Sequence, residues 1–174
     1  MTTLVRPDVR YHESLLRAAS ELDADGHGDF LSLQQWPVDT LRDPEQFARY
    51  VDERLGELVV PPEKVGWVPC TMLWILDDDE QVVGRVSIRH RLTEHLFNVG
   101  GHIGYAVMPS ARRRGHATAA LAHALTIAHG LGIDPALVTC DDTNTGSRRT
   151  IEKNGGVLED VRDGKMRFWV PTGR

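Results

Sequence analysis

The strongest periodic pattern of the sequence lies in its second half, where apolar residues recur at every third or fourth position. They are Ala117, Ala120, Leu121, Ala124, Leu125, Ala128 and Leu131. This spacing puts one apolar stripe on a helix, which Gly130 and Gly132 end. Shorter patterns predict three further helices, over residues 9–22, from Asp43-Pro44 through Leu55 to Pro61-Pro62, and over residues 144–153.

Runs rich in β-branched and aromatic residues predict strands between these helices. Residues 68–76 and 81–90 are separated by a short acidic stretch, which is typical of an antiparallel hairpin. Residues 101–108 form a third predicted strand. Its glycines, Gly101 and Gly104, indicate a bulge or a close approach of another backbone.

The remaining segments complete the expected order of elements. Residues 136–140 form a short, buried type of strand, and residues 157–161 and 166–170 form a terminal hairpin. Residues 23–39 are expected to form a long irregular loop. Neither an internal repeat nor a linker rich in Pro, Gly or Ser interrupts the chain, so we expect one domain over residues 1–174.

The composition excludes several classes of protein but does not indicate an activity. The 174 residues are 41% hydrophobic and 26% charged, which is ordinary for a globular chain. The net charge of −5 argues against binding to nucleic acid or anionic lipid by bulk electrostatics. The longest apolar run, residues 72–76, is far shorter than the roughly 20 residues of a membrane span. Two cysteines without CxxC spacing are typical of reduced thiols, so the expected location is cytoplasmic.

A local exception to the acidic charge is Arg112, Arg113 and Arg114, which precede Gly115. These residues connect the strand 101–108 to the Ala- and Leu-rich helix. The free N–H groups and the dipole at the start of a helix attract anions, and Arg side chains add charge-assisted hydrogen bonds. Because a GK[ST] motif is absent, a pyrophosphate bound without magnesium fits better than a nucleotide-hydrolysing loop. The alternative is a solvated basic loop.

The order of strand, Val-x-Pro, Arg-x-x-Gly-x-Ala and helix resembles motif A of the GNAT superfamily of N-acetyltransferases. Arg112, Gly115 and Ala117 stand at the matching positions. Residues 140–147 and 151–156 resemble the N-x-x-S and E-K-x-G segment of the same superfamily, so the resemblance covers nearly the whole chain. It implies an α+β (α/β/α) fold. The expected sheet is mixed and mostly antiparallel, has about six to seven strands flanked by helices, and splays between strands 4 and 5.

The resemblance also implies acetyl-CoA as the cosubstrate. The cofactor-binding residues that it implies are Tyr105, Ala106, Val107, Arg112, Arg113, Arg114, Gly115, His116, Ala117, Thr118, Asn144 and Ser147. The backbone of residues 105–107 is expected to pair with the pantetheine arm, and the amides of residues 113–118 are expected to hold the pyrophosphate. Asn144 has an alternative role as an ordinary helix N-cap.

Direct acetyl transfer needs a neutral amine beside the thioester and a donor for the oxyanion, for which a backbone N–H of residues 105–107 is the candidate. Where members of the superfamily often carry Glu, this chain has His102, a candidate base because imidazole titrates near neutral pH. Its alternative role is a structural histidine bonded to the sheet backbone. Many relatives have a Tyr general acid where this chain has Ile151, so Tyr105 or Ser147 is expected to substitute. Tyr105 as a packed strand aromatic is the alternative.

The sequence specifies the residues that bind the acceptor amine less closely than those that bind the cofactor. Four acidic residues lie close together in the chain: Glu21, Asp23, Asp25 and Asp29. They either border the acceptor pocket and attract a cation or form a solvated loop. Trp36 and Trp67 either line the pocket or belong to the core. The histidines have no convincing zinc spacing, so no metal is expected.

The sequence therefore predicts an acetyl-CoA-dependent N-acetyltransferase that acts on the amine of a small molecule or an amino sugar. Acetylation of a protein N-terminus or Lys is an alternative within the same enzyme class. A module that binds acyl-CoA as a sensor, without turnover, is an alternative of a different class. Neither nucleic acid nor a membrane is an expected partner, and a homodimer is one assembly that the sequence leaves open.

Overall fold

The computed structural model describes residues 1–61 and 64–173, in which one β-sheet is flanked by helices. The helices are α1 (His12–Ala24), α2 (Val38–Leu41), α3 (Pro44–Gly56), α4 (His116–Gly130) and α5 (Thr145–Lys153). The strands are β1 (Thr3–Val5), β2 (Cys70–Leu76), β3 (Val82–Arg89), β4 (Ile103–Val107), β5 (Ala136–Asp141), β6 (Val157–Arg162) and β7 (Lys165–Val170). Short 3-10 turns cover Val9–Tyr11, Gly28–Leu31 and Pro109–Ala111, and a π-helical turn covers Leu96–Gly100.

The strands of the described residues lie side by side in the order β1-β2-β3-β4-β5-β7-β6. Every neighbouring pair is antiparallel except β4 and β5, which are parallel. Both predicted hairpins, β2–β3 and β6–β7, are present. The expected mixed, mostly antiparallel sheet flanked by helices is therefore confirmed.

The alternation of side chains along the strands gives the sheet two different faces. Trp74 of β2 pairs with Arg85 of β3, and its ring stacks with Phe47 of α3 at a centroid distance of 6.2 Å. Tyr105 of β4 pairs with Val86, the next residue along β3, and its hydroxyl contacts α5. Helices α1–α3 therefore cover one face, and α4 and α5 cover the other.

Most predicted elements differ from the observed ones by up to three residues at their ends, and two predicted segments differ more. The predicted irregular loop, residues 23–39, contains the turn Gly28–Leu31 and the start of α2, because the side chains of Leu31 and Leu41 are buried and anchor it to the core. Helix α3 ends at Gly56 rather than continuing to Pro61, since glycine is a poor helix former. The other predicted stop residue, Pro62, lies outside the described residues.

The predicted close backbone approach occurs at Gly101. This residue has φ +66°, and a Cβ atom there would lie 2.6 Å from the carbonyl oxygen of Leu137. A side chain at position 101 would therefore push β5 away from the start of β4.

Candidate active site

Strands β4 and β5 meet at one end and then separate. Their register contains the single pair Ile103 and Val138, whereas β3 pairs with β4 as far as Val107. Along residues 104–107, the side of β4 that faces β5 therefore has no strand partner among the described residues. This separation is the splay expected between strands 4 and 5.

The anion loop, defined as residues 112–118, follows β4 and leads into α4. Gly115 is the N-cap of α4 with φ +88°, and no side chain caps this helix. A Cβ atom at Gly115 would meet nothing within 4 Å, so the space above the loop is open. Within the described part of the chain, none of the backbone N–H groups of residues 113–118 donates a hydrogen bond. The loop thus presents a run of free donors at the positive end of a helix dipole.

Arg112 holds the anion loop against the end of β4. Its Nε donates to the carbonyl oxygen of Val107 at 3.0 Å, and its guanidinium pairs with Asp25. The hydrogen bond from Arg112 lowers the pKa of the Asp25 carboxyl below its usual value. Glu21 accepts hydrogen bonds from the backbone N–H of Ser110 at 2.9 Å and from its hydroxyl at 2.8 Å. Glu21 and Asp25 therefore stabilise the segment that carries the loop.

The other polar side chains of the anion loop differ in exposure. Arg113 and Arg114 are exposed, while His116 is buried with its Nδ1 3.0 Å from the hydroxyl of Thr2. Burial lowers the pKa of His116, so its imidazole is neutral at neutral pH. His116 therefore offers its backbone N–H to the open space, and its side chain connects α4 to the N-terminal segment.

Tyr105 and Ser147 form a hydroxyl pair that connects β4 with α5. The two hydroxyl oxygens are 2.7 Å apart. Burial raises the pKa of Tyr105 well above its ordinary value, so the phenol stays protonated at any physiological pH. Ile151 is fully buried on the same helix and carries no proton to donate. The pair thus places hydroxyl hydrogen-bond donors beside the splay, and its raised pKa makes the phenol a weak acid.

His102 lies at the closed end of the splay with only 9% of its surface exposed. Its Nδ1 accepts a hydrogen bond from the backbone N–H of Leu137 at 2.9 Å, and the backbone N–H of His102 donates to the Leu137 carbonyl oxygen at 2.7 Å. In the neutral ring the proton is then on Nε2, so neither nitrogen has a free lone pair with which to accept a proton from an amine. Burial also lowers the pKa of His102. This geometry favours the structural role over the base role.

Asn144 is the N-cap of α5, which is the alternative role predicted for it beside contact with the cofactor. Its Oδ1 accepts a hydrogen bond from the backbone N–H of Ser147 at 2.9 Å. The cap fixes the first turn of α5 and with it the position of the Ser147 hydroxyl. Asn144 therefore positions the hydroxyl pair, whatever else it contacts.

A cavity of about 630 Å³ lies on the opposite face of the sheet, between α3 and strands β2 and β3. We call it the arginine cavity, because Arg85, Ser87 and Arg89 line it along one side of β3. Trp67 also lines it and is exposed, whereas Trp36 is partly buried and donates from Nε1 to Glu53 at 3.1 Å. Of the two predicted pocket tryptophans, only Trp67 is part of the arginine cavity.

Sequence reasoning missed Arg85 and Arg89, although a signal for them was present. In Arg-Val-Ser-Ile-Arg, residues 85–89, polar and apolar residues alternate, which gives the strand one polar face. This alternation predicts a strand. It does not distinguish a buried polar face from a solvated one, because that depends on the helices that cover the strand.

Residues 1–61 and 64–173 contain neither a membrane-spanning helix nor a cluster of metal-binding side chains. No helix there is both long enough and apolar enough to cross a membrane. Histidine, cysteine and carboxylate side chains form no group of three or more that could hold a metal ion in that part of the chain.

Solved structures of the same fold cover almost the whole chain. RimJ of Mycobacterium smegmatis in complex with CoA-disulfide is 19% identical with a TM-score of 0.66, covering 98% of this chain and 81% of that one. The microcin C7 self-immunity acetyltransferase MccE, in complex with acetyl-CoA and AMP, is 17% identical with a TM-score of 0.62, covering 98% and 92%. A spermidine N-acetyltransferase chimera from Vibrio cholerae and hSSAT is 12% identical with a TM-score of 0.59, covering 98% and 95%.

At these identities the likenesses show the fold, and the family rests on a separate match. No curated protein matches the sequence. The family model described as acetyltransferase (GNAT) domain matches residues 14–157, which is most of the chain. This match confirms the predicted family and the predicted class of enzyme, an N-acetyltransferase. The chain belongs to the GNAT acetyltransferase family.

Proposed function

We propose that the protein binds acetyl-CoA between β4 and β5 and transfers the acetyl group directly to the primary amine of a small molecule or an amino sugar. The observation that carries this proposal is the run of unpaired N–H groups over residues 113–118, below the open space at Gly115. A pyrophosphate is a strong ligand for such donors at a helix N-terminus. The side chains of Arg113 and Arg114 add positive charge around it.

The unpaired edge of β4 supplies the second part of the cofactor site. The backbone of Tyr105, Ala106 and Val107 has no strand partner on the β5 side, so the pantetheine arm can add to the sheet there. A free N–H of the same stretch is our candidate for the oxyanion donor of the tetrahedral intermediate. MccE and RimJ, which share the fold, were crystallised with acetyl-CoA and with CoA-disulfide.

We assign stabilisation of the departing thiolate to the hydroxyl pair of Tyr105 and Ser147. Thiolate departure from a thiol of pKa about 8.5 costs only about 2 kcal/mol at pH 7, so a hydrogen bond from the phenol to the departing sulfur suffices and the thiolate takes its proton from solvent. The acceptor amine loses its proton to solvent before attack, because His102 has no free lone pair. Asn144 completes the proposed cofactor site, together with the backbone N–H groups of Ala117 and Thr118.

The proposal includes one domain over residues 1–174, a cytoplasmic location and turnover without a metal. It favours a small-molecule acceptor because the arginine cavity is a recess between α3 and the sheet, of about the volume of small-ligand sites. Acetylation of a protein N-terminus or Lys is the second candidate, since the exposed Trp67 at the cavity is available to a larger partner.

Calorimetric titration with acetyl-CoA, followed by release of free thiol over a panel of amines, tests the proposal. We expect saturable binding of acetyl-CoA and amine-dependent thiol release. Absence of acetyl-CoA binding would exclude the cofactor site. Binding without turnover over a broad panel of amines and peptides would instead identify a sensor of acyl-CoA.

A further inference from the structure

The arginine cavity contains an unusual concentration of buried positive charge. Arg85 and Arg89 project from the same side of β3, with Ser87 between them, because side chains two residues apart on a strand share a face. Arg85 is 92% buried, since only 8% of its surface is exposed. A guanidinium at such depth normally requires a carboxylate partner, because burial of an unpaired charge is costly.

Among the described residues, no carboxylate lies within salt-bridge distance of Arg85 or Arg89. The Nη1 of Arg85 donates to the sulfur of Met72 at 2.9 Å, which is a weak acceptor, and its buried Nε has no partner. Burial lowers the pKa of Arg85 to about 10, so the group is still charged at neutral pH. Arg85 therefore lines the cavity with a positive charge that forms no ion pair with a described carboxylate, and its guanidinium lies 5.5 Å from the centroid of the Phe30 ring.

Arg89 is oriented by the backbone and not by an ion pair. Its Nη1 donates to the carbonyl oxygens of Gly100 at 3.1 Å and Gly101 at 3.2 Å. These contacts fix the guanidinium at the end of the π-helical turn and leave its charge unpaired. Arg89 thus adds a second, prearranged cation to the lining of the cavity.

The carboxylates that line the cavity are already engaged elsewhere. Glu53 and Glu57 both pair with Arg54, the latter at 3.1 Å, and Arg54 also donates to the hydroxyl of Ser32. Two carboxylates and one guanidinium leave a single negative charge, against which Arg85, Arg89 and Lys64 carry three positive ones. The described lining is therefore cationic overall.

Two residues that line the cavity, Ser87 and Arg89, lie beside the strand that is proposed to hold the thioester. A Cβ atom at Gly104 of β4 would lie 3.4 Å from the Ser87 hydroxyl and 3.6 Å from Nη1 of Arg89. The absence of a side chain at Gly104 lets the Ser87 hydroxyl approach β4, where it donates to the Gly104 carbonyl oxygen at 3.4 Å. An acceptor bound to the arginines would thus lie on the part of β3 that pairs with β4.

We propose that the acceptor amine carries an oxyanion, a carboxylate or a phosphate, which Arg85 and Arg89 bind inside the arginine cavity. The planar guanidinium matches either group with paired hydrogen bonds. The inference rests on the proposed function, since it names the acceptor class for that reaction. It differs from the cationic acceptor that the acidic loop suggested, because Glu21 and Asp25 of that loop are held by Ser110 and Arg112.

Matched pairs of amines test the inference without requiring turnover. The pairs are an amino acid with its amide, and an amino sugar phosphate with the unmodified amino sugar, with a polyamine as the cationic reference. Calorimetric binding is measured with and without CoA, on the wild-type chain, Arg85→Gln and Arg89→Gln. Arg49→Gln, which removes an exposed arginine of α3, is the matched control.

We expect an anion-bearing member of at least one pair to bind about 10- to 100-fold more tightly than its neutral counterpart. Arg85→Gln should abolish this preference, Arg89→Gln should weaken it, and Arg49→Gln should preserve it. The pair that shows the preference distinguishes carboxylate from phosphate. Arg85→Met guards against misfolding, because an apolar side chain in place of an unpaired buried charge should keep or raise the melting temperature.

Equal binding of neutral and anionic members, tighter binding of the polyamine, or a preference that survives Arg85→Gln would overturn the inference. Thiol release is measured on the same panel as a separate readout. Turnover of neutral amines without anion preference would leave the acetyltransferase proposal standing and exclude the anionic acceptor. Anion-selective binding without thiol release would support the cavity and contradict the transferase.

Discussion

The two faces of the sheet contribute to the site in different ways. On the α4 and α5 face, the anion loop and β4 are contiguous in sequence, and their chemistry is that of backbone N–H groups and one glycine conformation. On the α1–α3 face, the arginine cavity draws on α3, β2, β3 and the π-helical turn, and its chemistry is that of buried side-chain charge. A cosubstrate shared by a family can be held by a local motif, whereas the acceptor is selected by residues that only folding brings together.

Gly115→Asp tests whether the anion loop binds the cofactor, and it has the largest expected effect. The new carboxylate would occupy the open space above the anion loop and repel a pyrophosphate, so we expect acetyl-CoA affinity to fall by about 100-fold or more. Calorimetry measures the affinity. Gly132→Asp is the matched control, since Gly132 also has a positive φ and open space but lies at the other end of α4. Equal losses in both variants would remove the anion loop from the cofactor site.

His102→Ala separates a structural role at the closed end of the splay from a catalytic one. Loss of the acceptor leaves the buried N–H of Leu137 unpaired, which should lower the free energy of unfolding by about 1–3 kcal/mol. Chemical denaturation measures this loss. The pH dependence of thiol release should keep its shape, and loss of its acidic limb would make His102 the base.

The pH dependence of stability gives an independent measurement of the same residue. Burial lowers the folded-state pKa of His102 below the 6.5 of a solvated histidine, so the unfolded chain binds the proton more tightly. The stability that the neutral form of His102 contributes is fully present above pH 6.5 and is lost as the pH falls below 6.5. The pKa values of His90 and His116 are lowered by burial as well, so His102→Ala should reduce the acid sensitivity of the melting temperature without removing it.

Tyr105→Phe tests the role of the hydroxyl pair on the α4 and α5 face of the sheet. Removal of the phenol takes away a hydrogen-bond donor whose benefit is limited to about 2 kcal/mol, so we expect kcat to fall by about 10-fold with acetyl-CoA affinity unchanged. Steady-state thiol release provides both constants. Ser147→Ala keeps the phenol and should have the smaller effect; an unchanged kcat in Tyr105→Phe would leave Tyr105 as a packed aromatic.

Asn144→Ala has the smallest expected effect. Loss of the N-cap of α5 should reduce the free energy of unfolding by about 1 kcal/mol, as measured by denaturation. Asn144→Asp keeps a capping oxygen and should restore the stability. If acetyl-CoA affinity falls in Asn144→Asp while stability is retained, Asn144 contacts the cofactor in addition to capping the helix.

Most of the strands and helices could be predicted from the sequence because their apolar periodicity is local. Helix α4 and both hairpins follow directly from spacing and turn residues. The segment 23–39 and the π-helical turn could not be predicted, because Leu31 and Leu41 are ordered by distant partners and no local repeat marks residues 96–100. For the same reason the motif indicated the anion loop, while the roles of His102 and Asn144 depended on which backbone groups lay beside them.

The family and the anion loop can be predicted from the sequence alone, because a glycine, a run of free amides and a helix start are properties of consecutive residues. The surroundings of Arg85 and Arg89 can be known only from the tertiary structure. Whether a charge on a strand is solvated, paired or left unpaired depends on the helices and loops that cover it, and these come from other parts of the chain. The family therefore follows from local order, whereas the proposed acceptor class depends on long-range packing.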